Sequence, residues 1–332
     1  MKKLTTIITV FLLLLTSTVF SGCEQNSSAD KINVVCTIYP QYDWVRQILG
    51  DQADNMALTL LLNNRIDLHN YQPSVDDIVK ITSCDLFIYV GGESDSWVDN
   101  VLKNAANPNM LVINLMEELG DAAKIEEIKE GMEDEDPDQG EYEDQGEDRD
   151  DENGDFDEHV WLSLKNAKTL CPVITDALIT LDAGSEETYQ SNLAAYVDKL
   201  AALDSEYQTA LAAAPVRTLL FGDRFPFRYL VDDYGLDYHA AFVGCSAETE
   251  ASFDTIVFLA KKVDELNLQN IMVTESSDQA IAKTIRDNTR TRSQQILVLD
   301  AMQSVTANDV KNGTTYLSLM ENNLNVLKEA LK

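Results

Sequence analysis

The stretch from Ser185 to Ala214 constrains the chain most. It is dense in Ala, Leu, Glu and Lys at helical period, and Pro215 closes it. At 1.5 Å per residue such a helix spans roughly 45 Å. Short apolar runs alternate with helical patterns on both sides of it. Before it, Ile32 to Thr37, Leu58 to Leu62, Asp85 to Gly92 and Met110 to Leu115 read as strands. Pro40 to Leu49, Pro73 to Ile81 and Trp97 to Asn104 read as the intervening helices, with Ser74 as an N-cap. After it, Thr218 to Phe221, Tyr238 to Phe242, Ile271 to Thr274 and Ile296 to Leu299 read as strands. Helical patterns lie at Phe225 to Tyr234, Ser252 to Leu266, Gln279 to Asn288 and Tyr316 to Leu331, and Lys165 to Leu181 precedes the long helix. Alternation of this kind predicts parallel βαβ units. The expected fold is α/β, two parallel-sheet lobes joined by one long rigid helix.

The ends and the charge add boundaries. Lys2 and Lys3 precede an apolar run from Ile7 to Phe20, which ends at Ser21-Gly22-Cys23. The run is too short for a comfortable membrane span, which takes about 20 apolar residues, and has the layout of a secretory signal peptide. Small residues before Cys23 read as a lipobox, with Phe20 in the usual Leu position; an ordinary signal peptide is the alternative. The expected organisation is a signal peptide over 1–22 and a lipid-anchored tether over 23–31. An N-terminal lobe over 32–184, a linking helix over 185–214 and a C-terminal lobe over 215–332 follow. Between Glu133 and Glu158, 16 of 26 residues are acidic, and a disordered loop is expected over about 120–156. Without residues 133–158 the chain still carries 41 acids against 24 bases. Nucleic acid is therefore excluded as a partner and a cationic ligand favoured. The acidic loop either gathers cations or is a solvated spacer. Cys36, Cys84, Cys171 and Cys245 match no zinc knuckle and no CxxC motif. They read as small buried residues, with disulfide pairing left open.

Only three histidines occur, at 69, 159 and 239. His69 lies in a strand-to-helix loop and His159 at the edge of the acidic run. Both are placed for metal ligation or for a structural role. His239, flanked by Tyr238, Ala240 and Ala241, reads as structural.

The words around the first two sharpen this. His69-Asn70-Tyr71-Gln72-Pro73-Ser74 with Asp85-Leu86-Phe87-Ile88-Tyr89-Val90-Gly91-Gly92 resembles a block of the zinc- and manganese-binding receptors of ABC importers. Asp157-Glu158-His159-Val160-Trp161-Leu162-Ser163, Tyr234-Gly235-Leu236, Ser246 to Ser252 and Leu299-Asp300-Ala301-Met302-Gln303-Ser304 resemble later blocks in the same order. The resemblance runs from about residue 32 to the C-terminus. It implies an ion held in a cleft between two α/β lobes, with zinc first and manganese as the alternative cargo. It also implies delivery to a permease and its ATPase, a monomer, and attachment through Cys23 to the outer face of the cytoplasmic membrane. His69 and His159 match two ligand blocks, and Asp300 sits at an acidic ligand position, with a turn role as its alternative.

The third block departs. Arg224 falls on the ligand position and cannot ligate, being always protonated. It could instead pair with a carboxylate of the site. Asp223, one residue earlier, either ligates or caps the next helix, and Glu275 is a weaker ligand or supporting candidate. A set of two His and two Asp would suit zinc at about 2.0–2.2 Å per donor. Capture should weaken below about pH 6 as His protonates. A metal-dependent hydrolase is the rival class, but no HExxH, GxSxG or phosphate loop is present. A surface-adhesion role finds no binding motif.

Overall fold

Strands form where the sequence offers β-branched and aromatic runs, and they assemble into two parallel sheets. The computed structural model describes residues 31–63, 65–133, 155–246 and 250–332. The expected signal peptide, tether and Cys23 lie outside the described residues. The first sheet has the order β2-β1-β3-β4, with β1 Ile32–Cys36, β2 Met56–Leu60, β3 Leu86–Tyr89 and β4 Leu111–Asn114. The second has the order β6-β5-β7-β8, with β5 Thr218–Phe225, β6 Asp237–Val243, β7 Asn270–Thr274 and β8 Gln295–Leu299. All pairings are parallel. Every residue of β3 and β7 is buried, as expected for sheets covered on both faces.

Helices cross between the strands. In the first lobe these are α1 Tyr39–Leu49, α2 Val75–Ser83, α3 Val98–Leu102 and α4 Leu115–Leu119. Next come α5 Leu164–Leu181 and the long α6 Glu186–Ala212. The second lobe carries α7 Arg228–Tyr234, α8 Phe253–Glu265, α9 Ala280–Asn288, α10 Ala307–Lys311 and α11 Tyr316–Ala330. Ser74 caps α2 in a reciprocal pair with Asp77, as the sequence predicts.

The long helix is the expected strut. Its 27 residues span about 40 Å. One stripe of it, Tyr189, Tyr196, Leu200, Leu203, Tyr207 and Leu211, is buried, so a helix of weak intrinsic amphipathicity is held by packing. Asn192 Nδ2 donates to Ile48 O on α1 at 2.9 Å, and Tyr207 Oη donates to Met320 O on α11 at 2.6 Å. The strut is thus tied to the first lobe near one end and to the last helix near the other. A continuous apolar core runs through both sheets and the strut.

One expectation is corrected. Disorder was expected from about 120 to 156, but residues 120–133 and 155–156 make specific contacts. Ile125 bridges Phe156 in antiparallel fashion, and Glu133 bridges Phe242 of β6. Lys124 N donates to Tyr229 Oη at 2.9 Å, and Met132 packs on the core. A backbone bridge to β6, a hydrogen bond to Tyr229 and the half-buried Met132 dock this acidic run onto the second lobe. Residues 134–154 lie outside the described residues.

Trp161 joins the two halves. It is fully buried, its Nε1 donates to Ala301 O at 2.9 Å, and its carbonyl accepts from Tyr316 Oη at 2.8 Å. Trp161→Ala should therefore destabilise the metal-free protein by about 3–5 kcal/mol. A urea titration with a chelator present measures this, and an unchanged midpoint would contradict the role given to Trp161.

Candidate metal centre

Ligand groups in open α/β sheets collect beyond the carboxyl ends of the strands. Both sheets follow this. His69 lies in the loop leaving β2, within the turn Leu68–Asn70. Asp67 caps that turn by accepting from His69 N at 3.1 Å. Arg224, at the end of β5, forms an ion pair with the same Asp67 carboxylate. Burial alone would raise the Asp67 carboxyl, but Arg224 and His69 outweigh it and hold it below its ordinary value. The guanidinium therefore pairs with a carboxylate and braces the turn that carries His69.

His159 is fully buried. Its Nδ1 lies 3.0 Å from Asp157 Oδ1, which also accepts His159 N at 2.8 Å. His69 Nδ1 lies 2.8 Å from Ser94 Oγ and 3.4 Å from Glu158 Oε2. A carboxylate thus stands behind each ring and favours the proton on Nδ1. The two Nε2 lone pairs then face one another at 3.1 Å. With neither nitrogen carrying a proton, they repel unless a cation lies between them. Two tetrahedral zinc ligands at 2.0–2.1 Å have nitrogens about 3.3 Å apart.

His69 opens onto a cavity of about 770 Å³, whose lining also includes Ser94, Trp97, Glu126, Glu158 and Cys245. Cys245 follows the end of β6. Its sulfur and one nitrogen from each of His69 and His159 all lie within 4.8 Å of one another. Glu126 Oε1 accepts Cys245 N at 2.9 Å. Burial, reinforced by Asp157, Glu126 and Glu158, pushes the Cys245 thiol up and keeps it protonated without an ion.

The structure places the remaining expected residues elsewhere. Asp223 spends one oxygen on Arg224 N and the other on Thr274 N and Oγ1, so it ties β5 to β7. Glu275 accepts Ala301 N, Gln303 N and Ser304 Oγ and shapes the loop after β8. Asp300 accepts Met302 N at 2.7 Å. Burial and then the neighbouring Glu275 push its carboxyl up. Among the described residues, none of these three acids joins His69 and His159 within the 4.8 Å group. His239 packs edge-on to Phe258, and burial lowers its pKa. The four cysteines from Cys36 onward are all free thiols.

Cys245, Ser94, Glu126 and the backing roles of Asp157 and Glu158 escape the sequence reading. Position at a strand's carboxyl end was the one available signal for Cys245. Asp157 and Glu158 were signalled by adjacency to His159. Ser94 is set by the turn after β3, whose Val90 N and Gly91 N both donate to Asp95 Oδ2 at 2.9 and 3.0 Å. Gly92 is required there: its φ is +82°, and a Cβ would lie 2.4 Å from Glu158 Oε1.

Asp95 yields a prediction. Burial, with Glu158 adding to it against two N–H donors, pushes its carboxyl up to about 7. An acid raised above its unfolded value of about 3.9 contributes fully below that pH. The contribution disappears as pH rises through about 7. Metal-free protein should lose on the order of a few kcal/mol between about pH 4 and pH 7 from this group. Asp95→Asn keeps the acceptor oxygen and should flatten that slope. Parallel pH profiles by urea unfolding test it.

Comparison with known proteins agrees with this architecture. The profile of the family described as "ZnuA: Zinc-uptake complex component A periplasmic" matches residues 34–330. A zinc-binding lipoprotein, AdcA, of Streptococcus pneumoniae is 32% identical over 309 residues, which are 93% of this chain and 58% of that protein. The chain thus spans little more than half of that relative's length. The high-affinity zinc uptake system protein ZnuA of Bacillus subtilis is 28% identical over 306 residues, 92% of this chain and 89% of that one. The crystal structure of the Zn(II)-bound ZnuA-like domain of S. pneumoniae AdcA superposes with a TM-score of 0.68 at 29% identity, covering 91% of this chain and 99% of that one. With a matched span that takes in both sheets, the strut and the paired imidazoles, the chain belongs to the ZnuA family of zinc-uptake components.

Proposed function

We propose that this protein is an extracytoplasmic receptor that captures one zinc ion and delivers it to an ABC permease for import. The observation that carries this is the pair of Nε2 atoms 3.1 Å apart, each backed by a carboxylate on the other ring nitrogen. Such a pair is built for a dication that accepts imidazole, and zinc accepts it more readily than manganese does. The zinc-binding names of the related proteins support the same ion. His69 and His159 are the proposed first two ligands. Asp300, at the carboxyl end of β8, is the proposed acid brought to the ion by closure of the second lobe. Its neighbour Glu275 makes it a carboxylate that a dication would relieve. Delivery requires that the receptor stay near the membrane, which we assign to a lipid on Cys23. No helix among the described residues is long and apolar enough to cross a membrane.

His69→Ala and His159→Ala should each lower zinc affinity by about 100-fold or more. Asp157→Asn should lower it by about 10- to 100-fold, because it frees the His159 ring. Competition against a chromophoric chelator measures all three. Zinc affinity untouched by both His substitutions would rule the reading out. Zinc at about 100 times its Kd should also add about 2.7 kcal/mol to the unfolding free energy, an increment that chelator removes.

A further inference from the structure

The two imidazoles account for only two donors, and the residue in the third ligand position is an arginine. We propose that Cys245 Sγ is the third donor, so that His69, His159 and Cys245 hold the ion before Asp300 joins them, and the thiolate selects zinc over manganese. The inference rests on the zinc-receptor reading and deepens it.

Several independent features place the thiol. Its sulfur already lies within 4.8 Å of a nitrogen of both His69 and His159. In a tetrahedral zinc site the sulfur-to-nitrogen separation is about 3.6 Å, so a shift of roughly 1 Å completes the geometry. The preceding residue must be glycine: a Cβ on Gly244 would lie 2.8 Å from Phe225 O and 3.1 Å from His159 Cε1. The chain is thereby pressed against the imidazole immediately before it delivers Cys245. Arg224 has been turned to the same purpose. One of its nitrogens pairs with Asp67, which holds the His69 turn, and another donates to Ser246 O at 3.3 Å, one residue beyond Cys245. Glu126 grips Cys245 N from the opposite side.

Charge points the same way. Glu158 is 2% exposed and stands behind His69, with Oε2 3.4 Å from Nδ1, so a buried negative charge lies beside the converging donors. That charge favours a cationic ligand over a neutral or anionic one. The other thiols differ: Cys36, Cys84 and Cys171 are fully buried, whereas Cys245 lines the cavity. On binding, the S–H bond breaks, its electron pair forms the sulfur–metal bond, and the proton leaves through the cavity to solvent. Thiolate ligands favour zinc strongly over manganese, which prefers oxygen.

The test uses Co2+ as a spectroscopic stand-in for zinc. The unsubstituted protein with Co2+ alone should show sulfur-to-cobalt charge-transfer absorption in the near ultraviolet, and Cys245→Ser should abolish it. The same substitution should reduce the ratio of zinc to manganese affinity by about tenfold or more. A measurement on the unsubstituted protein guards against a variant that does not fold: Zn2+ should protect Cys245 from iodoacetamide, read by mass spectrometry of the peptide. Zinc binding that is lost in His159→Ala, with no charge-transfer band and no protection, overturns the Cys245 assignment and leaves the zinc-receptor reading intact. Failure of the unsubstituted protein to bind Zn2+ or Co2+ overturns both.

Discussion

Two imidazole nitrogens held 3.1 Å apart, with their protons turned away onto carboxylates, set the demand the rest of the structure answers. Lone pairs so placed repel one another and gain only when a cation joins them. Each ring is therefore gripped from behind. Asp157 fixes His159 through both ring and backbone, and Ser94 with Glu158 fixes His69. Those grips depend in turn on a glycine turn after β3 that brings Ser94 N onto Glu158 Oε1 at 2.8 Å.

The scaffold supplies rigidity where this arrangement needs it. Parallel sheets direct their carboxyl ends toward the same cavity, so the loops after β2, β3 and β6 all line it. The strut is pinned near both ends, and Trp161, two residues from His159, is hydrogen-bonded to the Ala301 carbonyl. The docked segment of residues 124–133 adds a second tie, through Tyr229 and β6.

Arg224 illustrates how a fixed positive charge is accommodated close to the paired imidazoles. An always-charged guanidinium next to a dication would oppose binding. Here Asp67 neutralises it, and its remaining donors brace the turn at Ser246. The guanidinium's charge is thereby offset close to the paired imidazoles.

Much of this was legible in the chain. Apolar periodicity located the strands and helices to within a few residues, since local spacing alone decides which segments can pair and which can coil. Words around His69 and His159 marked both imidazoles, and the strand ends marked the correct edge of each sheet. Tertiary structure decided the rest. Cys245 is 176 residues from His69 in the chain, and no local pattern signals that the β5–β6 register, Phe225 against Val243, delivers it to the cavity. Asp223 and Glu275 stand at the right strand ends, yet both oxygens of each are engaged by backbone N–H groups that only the folded loops present. Periodicity is a property of neighbours along the chain. Ligation is a property of atoms within a few ångströms, and those distances are set by how the two sheets pack around a shared core.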